Sequence, residues 1–584
     1  MKNILFKWVI ILTILPVSII LYALKPGLEV VPDIDNAGLK LPDGFGALKV
    51  AETGAKARHL VVTPQGDIYV KLAKPNKEGK GILVFHEAPN GKAELKSGFG
   101  TYGGTEVYLK NGYLYASSNT EVFRYKMNDK NEVINPDQPE KIITGLKAGR
   151  QHETKSFALD NDGNIYVNIG AWFNSCQEKD RGLHSPGIPG CPILDSMGGV
   201  WQFKTDKLNQ TYGDGVRYAT GLRNMVGMDW NQQDNQLFVM QHGRDNLNSS
   251  WPELYTTKQS AELPAECLYA LKKGDNAGWP YMYYDQIQHK KIQAPEYGGD
   301  GKKEADTKFL DPAAAYPGHM APNGLLFYTG NQFPAKYKNG AFIAFHGSWN
   351  RAPEPQAGYF VVFQPFKNGK PDGAWEVFAD GFSGSPEKTA AGRADHRPCG
   401  LAQGADGSLY VTDDSKGTIY RIIYLKSNKQ MTKYLLILFF AFSCFQVKAQ
   451  IKTRAKTKAK AAMGLAASIS NGKVIYVNHC LTCHQADGGG VPNMNPPLIK
   501  TSYVTGDHTQ LIKVVLNGFS ENVDIDGESY SNVMPAHDFL KDREIADVLT
   551  YVRKSFGNKG GAITAAQVKA VRAKNKKKTA IKNI

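Results

Sequence analysis

Two groups of side chains in this 584-residue sequence have the types and spacing to do chemistry. The sharper is Cys480-Leu481-Thr482-Cys483-His484. Two thiols three residues apart lie on one helical turn, where they reach the two vinyl groups of a haem. The adjacent His484 then places its imidazole under the iron. A zinc site would need further Cys or His at ligand spacing, and none follows. The sixth iron ligand should lie beyond a long loop. Met534, in Asn532-Val533-Met534-Pro535, is placed for it, with Met494 and His537 as the other choices. His/Met ligation raises the reduction potential and suits an electron acceptor.

The second group stands just ahead of apolar strands. His152 precedes one such strand and could act as a general base. Arg223 and Asn224 precede the next, a cation and an amide suited to polarising a carbonyl oxygen. Arg397 precedes a third and could meet a carboxylate through both guanidinium nitrogens. Each alone reads equally as a structural residue; matching places in three repeats make the set informative.

The elements that must position these groups are repeats. Between residues 40 and 425 a short apolar strand, a turn with Asp or Asn and Gly, and a second apolar strand recur. Clear copies are Val61–Val70, Phe157–Val167 and Leu401–Val411; weaker ones centre on Lys110–Tyr115, Gln233–Phe238 and Asn339–Ile343. Asp/Asn-Gly supplies the positive-φ turn of a hairpin, and the flanking alternation buries one strand face. Six hairpins over this length predict a mainly β domain, a six-bladed β-propeller, in which each blade covers its neighbour. A pair of β-sandwiches fits the irregular spacing less well. In a propeller, residues at strand entrances surround the mouth of the central channel. A small all-α domain over 464–558 follows. In it Glu544 to Lys554 reads as an amphipathic helix with Ile545, Val548, Leu549 and Val552 on one face.

The remaining segments concern address and charge. Lys2 and Lys7 precede an apolar run from Trp8 to Leu24, so residues 1–25 read as a cleaved signal or as an uncleaved membrane anchor. Residues 431–450 repeat the layout of a secretory signal inside the chain: Met431-Thr432-Lys433, an apolar core from Tyr434 to Phe445, then Ala449. A fusion of two exported proteins, a cleavable linker and a joined reading frame all account for it. Both signals predict a periplasmic or otherwise extracytoplasmic protein, free or held at the inner membrane by its N-terminus. The formal charge of +15 comes mostly from a basic linker, 451–463, and a basic tail, 559–584. The folded parts are near neutral, and nucleic acid is not an expected partner. Of seven cysteines, two serve the haem and Cys444 lies in the second apolar core. Cys176 with Cys191 is the favoured disulfide, its loop being easily closed; four free thiols are the other reading.

Residues 45 to 425 resemble the sorbosone and soluble glucose dehydrogenase group of pyrroloquinoline-quinone-dependent sugar dehydrogenases. The resemblance is carried by His152 with Asp162-Gly163-Asn164-Ile165-Tyr166-Val167, by Gly221-Leu222-Arg223-Asn224 and by Pro264-Ala265-Glu266. Gly278-Trp279-Pro280-Tyr281, Tyr328-Thr329-Gly330, His346-Gly347-Ser348-Trp349-Asn350-Arg351 and Arg397-Pro398 complete it. It implies His152 as base, Arg223 and Asn224 on the quinone oxygens, and Arg397 on a quinone carboxylate. It also implies a Ca2+ ion in the loop after blade four, where Gly243 and neighbouring backbone oxygens with the Asp245 carboxylate are the available ligands. Pro496-Pro497-Leu498 and Met534 are similar to their counterparts in small class I c-type cytochromes. The expectation is an enzyme with haem c that oxidises a sugar or related aldehyde or alcohol. Its electrons would pass through the haem to a downstream cytochrome or oxidase. An electron-transfer cytochrome fused to a non-catalytic binding propeller, or to a lactonase-like one, is the alternative.

Overall fold

The computed structural model describes residues 30–149, 151–425, 461–491, 494–525 and 527–581. The segments 1–25 and 431–450, and residues 451–460 of the basic linker, lie outside them. No helix among the described residues is long and apolar enough to cross a membrane.

Five successive antiparallel sheets are built from residues 57–99, 107–144, 157–220, 225–316 and 322–379. The sixth combines three strands from 398–424 with the first long strand of the chain, Phe45–Glu52. That strand pairs with Thr418–Tyr424 from Phe45↔Tyr424 to Glu52↔Thr418. The ring is closed by its own beginning. All six hairpins read from the sequence join the first two strands of a blade, one per blade.

The apolar core sits at the seams between blades. Tyr69, Val84 and Phe99 of the first pack on Leu114, Phe123 and Tyr125 of the second. The same construction recurs around the ring and ends where Tyr410 and Ile419 meet Leu60, Ile68 and Phe85. Hydrophobic burial therefore stabilises neighbouring blades together.

The C-terminal domain has four longer helices, α1 (Ala461–His479), α2 (His508–Asn517), α3 (Asp542–Lys554) and α4 (Ala565–Ile581). α1 crosses α3 closely at Gly472, where a Cβ would stand 2.0 Å from the Asp547 carbonyl oxygen. Tyr476, Ile512, Ile545, Val548 and Leu549 form the core between them. The basic tail reading is corrected here. Within 559–584, α4 buries Val568 and Val571 in that same core, and Arg572 Nε lies 2.7 Å from Asp542 Oδ1. Its basic side chains hid an i, i+3 apolar pair.

Candidate functional site

Each strand-entrance residue stands just ahead of the first strand of its blade. His152 precedes the strand Phe157–Leu159, Arg223 and Asn224 precede Met225–Asn231, and Arg397 precedes Pro398–Gln403. Gly170 lies between the first two sets. A Cβ there would be 2.6 Å from His152 Cβ and 2.8 Å from Asn224 Oδ1, so only glycine lets both stand where they do.

His152 is half-buried and adopts φ 57°. Its Nδ1 donates to the Ala171 carbonyl at 2.6 Å, which fixes the proton there and leaves Nε2 as a free lone pair. Burial, helped by the Arg223 charge, holds its pKa well below the ordinary histidine value. The imidazole is therefore neutral at neutral pH, with its Nε2 lone pair unprotonated. Asn224 Oδ1 accepts from Asn168 Nδ2 at 3.0 Å, leaving its own Nδ2 as a donor. The Arg397 guanidinium donates only to the Gly347 and Gly392 carbonyls, at 3.3 and 3.1 Å, and covers the Tyr359 ring, while its backbone N–H donates to Asp413 Oδ1. Among the described residues no carboxylate pairs with it.

Arg223 departs from expectation. Its Nε donates to Asn174 O, Nη1 to Gly243 O, and Nη2 to Asn174 Oδ1 and Asp245 Oδ2, at 2.8–3.2 Å. Four of its five N–H donors are used within the protein, so it mainly shapes the site. The calcium reading meets the same obstacle. The Gly243 carbonyl is held by Arg223, and Asp245 Oδ2 lies 2.8 Å from both Arg223 Nη2 and Arg181 Nη2. Asp245 Oδ1 accepts from Asn350 Nδ2 at 2.6 Å. Burial raises the Asp245 pKa, but the two guanidiniums outweigh it and hold the carboxyl well below its ordinary range. A dication among these ligands would sit against two guanidiniums. Gly243 and Asp245 do not fit calcium in this arrangement. Among the described residues no three His, Cys, Asp or Glu side chains cluster for a metal.

Several neighbouring residues were given no role by the sequence reading. His319 donates Nε2–H to the Ser260 and Leu263 carbonyls and accepts from Asn350 at Nδ1. Glu266, pushed up to about 8 by burial, accepts from the Gly243 and Ala321 amides. Arg58 and His346 share Asp414 at 2.6 and 2.5 Å. Arg58 is the second residue of the strand Ala57–Val62, so a search of the positions ahead of strands passes it over. Arg181 has no signal of that kind either. It rises from the loop closed by Cys176–Cys191, which are bonded as favoured; Cys267 and Cys399 are free and buried.

In the C-terminal domain one cavity is lined by Cys480, Cys483, His484, Met534 and His537 with apolar Leu511, Val515, Leu549 and Val552. His484 Nδ1 donates to Pro496 O at 2.9 Å, which turns Nε2 to an iron. Met534 faces the cavity, whereas Met494 is not among its lining residues. The donor set and apolar wall fit a covalent haem.

Residues 39–424 match the family model described as TrAA12-like, and residues 469–555 match cytochrome c. A Borreliella burgdorferi protein is 31% identical over 208 residues, 36% of this chain and 48% of its own, so the chain spans about half of that relative. The pyrroloquinoline quinone-dependent sugar dehydrogenase of Hypocrea jecorina is 20% identical over 414 residues, 66% of this chain and 86% of that one. Cytochrome c-552 of Thermus thermophilus is 37% identical over 120 residues, 19% and 80% of the two chains. The solved Trichoderma reesei Carbohydrate-Active Enzymes Family AA12 structure superposes with TM-score 0.55 at 19% identity, covering 68% of this chain and 99% of that one, a likeness of fold. The six-bladed domain and the haem cavity of the domain that follows it thus have their counterparts: the chain belongs to the TrAA12-like family and carries a C-terminal cytochrome c domain, which implies haem c.

Proposed function

We propose that the chain is an exported quinohaemoprotein that oxidises a sugar or related alcohol or aldehyde at the propeller mouth and passes the electrons to haem c. The observation that carries this is a neutral His152 with a free Nε2 in the same mouth as the unpaired cation Arg397. Bound pyrroloquinoline quinone would supply the two-electron oxidant there.

His152 Nε2 accepts the substrate hydroxyl proton, and the Ala171 carbonyl holds the imidazole in the tautomer that can do so. Arg397 supplies a cation for a cofactor carboxylate, and Asn224 Nδ2 a donor for a carbonyl oxygen. Arg223 keeps the His152 side of the site positive and its partners in place. A sugar is supported by the relatives' chemistry; the sorbosone branch is one choice within that class. Export is supported by the Cys176–Cys191 bond and by covalent haem, and the electrons would continue to a cytochrome or oxidase there.

The test is haem reduction in the full chain supplied with the quinone and a panel of sugars. Wild type should show sugar-dependent growth of the ferrous bands, and His152→Ala should lose it while dithionite still reduces the haem. Sugar-driven reduction that survives His152→Ala would sink the mechanism.

A further inference from the structure

The haem-attachment turn rests against the propeller mouth. Thr482 Oγ1 donates to Ala352 O at 3.1 Å and Gln485 Nε2 to Trp349 O at 2.6 Å. Ala352 packs on the cytochrome core. Two residues from these contacts, Asn350 holds Asp245. The haem cavity is completed from the propeller side by Arg181, Leu183, Asn246 and Ser249. Arg181 is buried, and its Nη2 reaches both Asp245 and Gln151, the neighbour of His152. Its Nε makes no hydrogen bond and stands 3.9 Å from Asp180 Oδ2. Cys483 lines the same cavity wall as Arg181. The side chain thus spans from the residue beside the base to the haem edge at Cys483.

We propose that this face is a built electron-entry interface, in which Arg181, on the disulfide loop, positions the Asp245 hub against the Cys483 edge of the haem and tunes the iron. A cation there opposes the extra positive charge of the ferric state and so favours the ferrous one. The role of entry point rests on the function proposed above. Oxidising one carbinol to a carbonyl releases two electrons and two protons. Ferric iron takes one electron at a time, so an external one-electron acceptor must empty the haem between them, and the protons leave to solvent.

Two variants of the full chain test it. Arg181→Gln should shift the haem midpoint potential downward in a mediated spectroscopic titration, which needs neither quinone nor sugar. Arg181→Lys, which keeps the charge, should restore it. In the double variant Thr482→Val, Gln485→Leu, sugar-driven haem reduction should slow severalfold. Turnover with a small acceptor that draws directly on the propeller should be unchanged. An unchanged potential in Arg181→Gln, or haem reduction at the wild-type rate in the double variant, overturns the proposal. Wild type that turns over with neither acceptor removes the proposed dehydrogenase instead, and the potential still decides the role of Arg181.

Discussion

Asp245→Asn is the perturbation with the most to say about the propeller site. It keeps shape and an acceptor for Asn350 but removes the one negative charge set 2.8 Å from both Arg181 and Arg223. Both guanidiniums are buried, with side chains 6% and 4% exposed, so neither recovers its hydration. Breaking a buried ion pair by deleting one partner costs about 3–5 kcal/mol. Two stranded cations place this variant at the upper end. Depressed in the folded state, the Asp245 carboxylate contributes stability above its unfolded value, and this is lost only as pH falls far below 3.8. The gap between wild type and variant should therefore be full at pH 7 and close only in strong acid. Urea unfolding of the propeller, followed by tryptophan fluorescence at both pH values, measures it. A chelator separates this account from the calcium reading. If the hub is an arginine–carboxylate cluster, EDTA leaves the wild-type midpoint where it was. A wild-type midpoint that EDTA lowers to that of Asp245→Asn would refute the reasoning, as would a variant within about 1 kcal/mol of wild type.

Three further outcomes follow from the same geometry. His152 is neutral well below pH 6.5, so the pH profile of kcat/KM should be flat from neutrality downward through 6.5 and fall only in more acid solution; a break at 6.5 counts against the buried base. Met534→Ala should lose the methionine–iron charge-transfer band of the ferric protein and lower the haem potential, and retention of the band would reassign the ligand. Phe45 meets Phe333, Tyr337, Phe378 and Tyr424 edge-on, so Phe45→Ala should cost about 3–5 kcal/mol of propeller stability in chemical denaturation.

The repeats were legible because a blade hairpin is a local object: two strands and an Asp/Asn-Gly turn within a dozen or so residues carry its signature. His152, Asn224 and Arg397 could be singled out for a related reason, each standing within five residues ahead of a strand. Arg223 stands ahead of a strand too, but its place in a protein-bound cluster was not legible. Its partners Asn174 and Asp245 stand 49 and 22 residues away in the sequence, and no periodicity announces such pairings. Arg181 was invisible, since a disulfide loop has no repeat to be read against. The haem ligands were plain because two thioethers and an axial imidazole demand their spacing chemically.

The pairing of Phe45–Glu52 with Thr418–Tyr424 has a mechanical consequence. The strands are antiparallel, and the chain enters at Phe45 and leaves at Tyr424, which face each other at one end of the ladder. Tension between a tether on the N-terminal side and a load on the cytochrome would not shear these strands along their length. It would peel them apart one pair at a time, beginning at Phe45. Each step breaks only the next backbone pair, so the ring resists such a pull weakly, while force entering through any other blade meets several pairs at once.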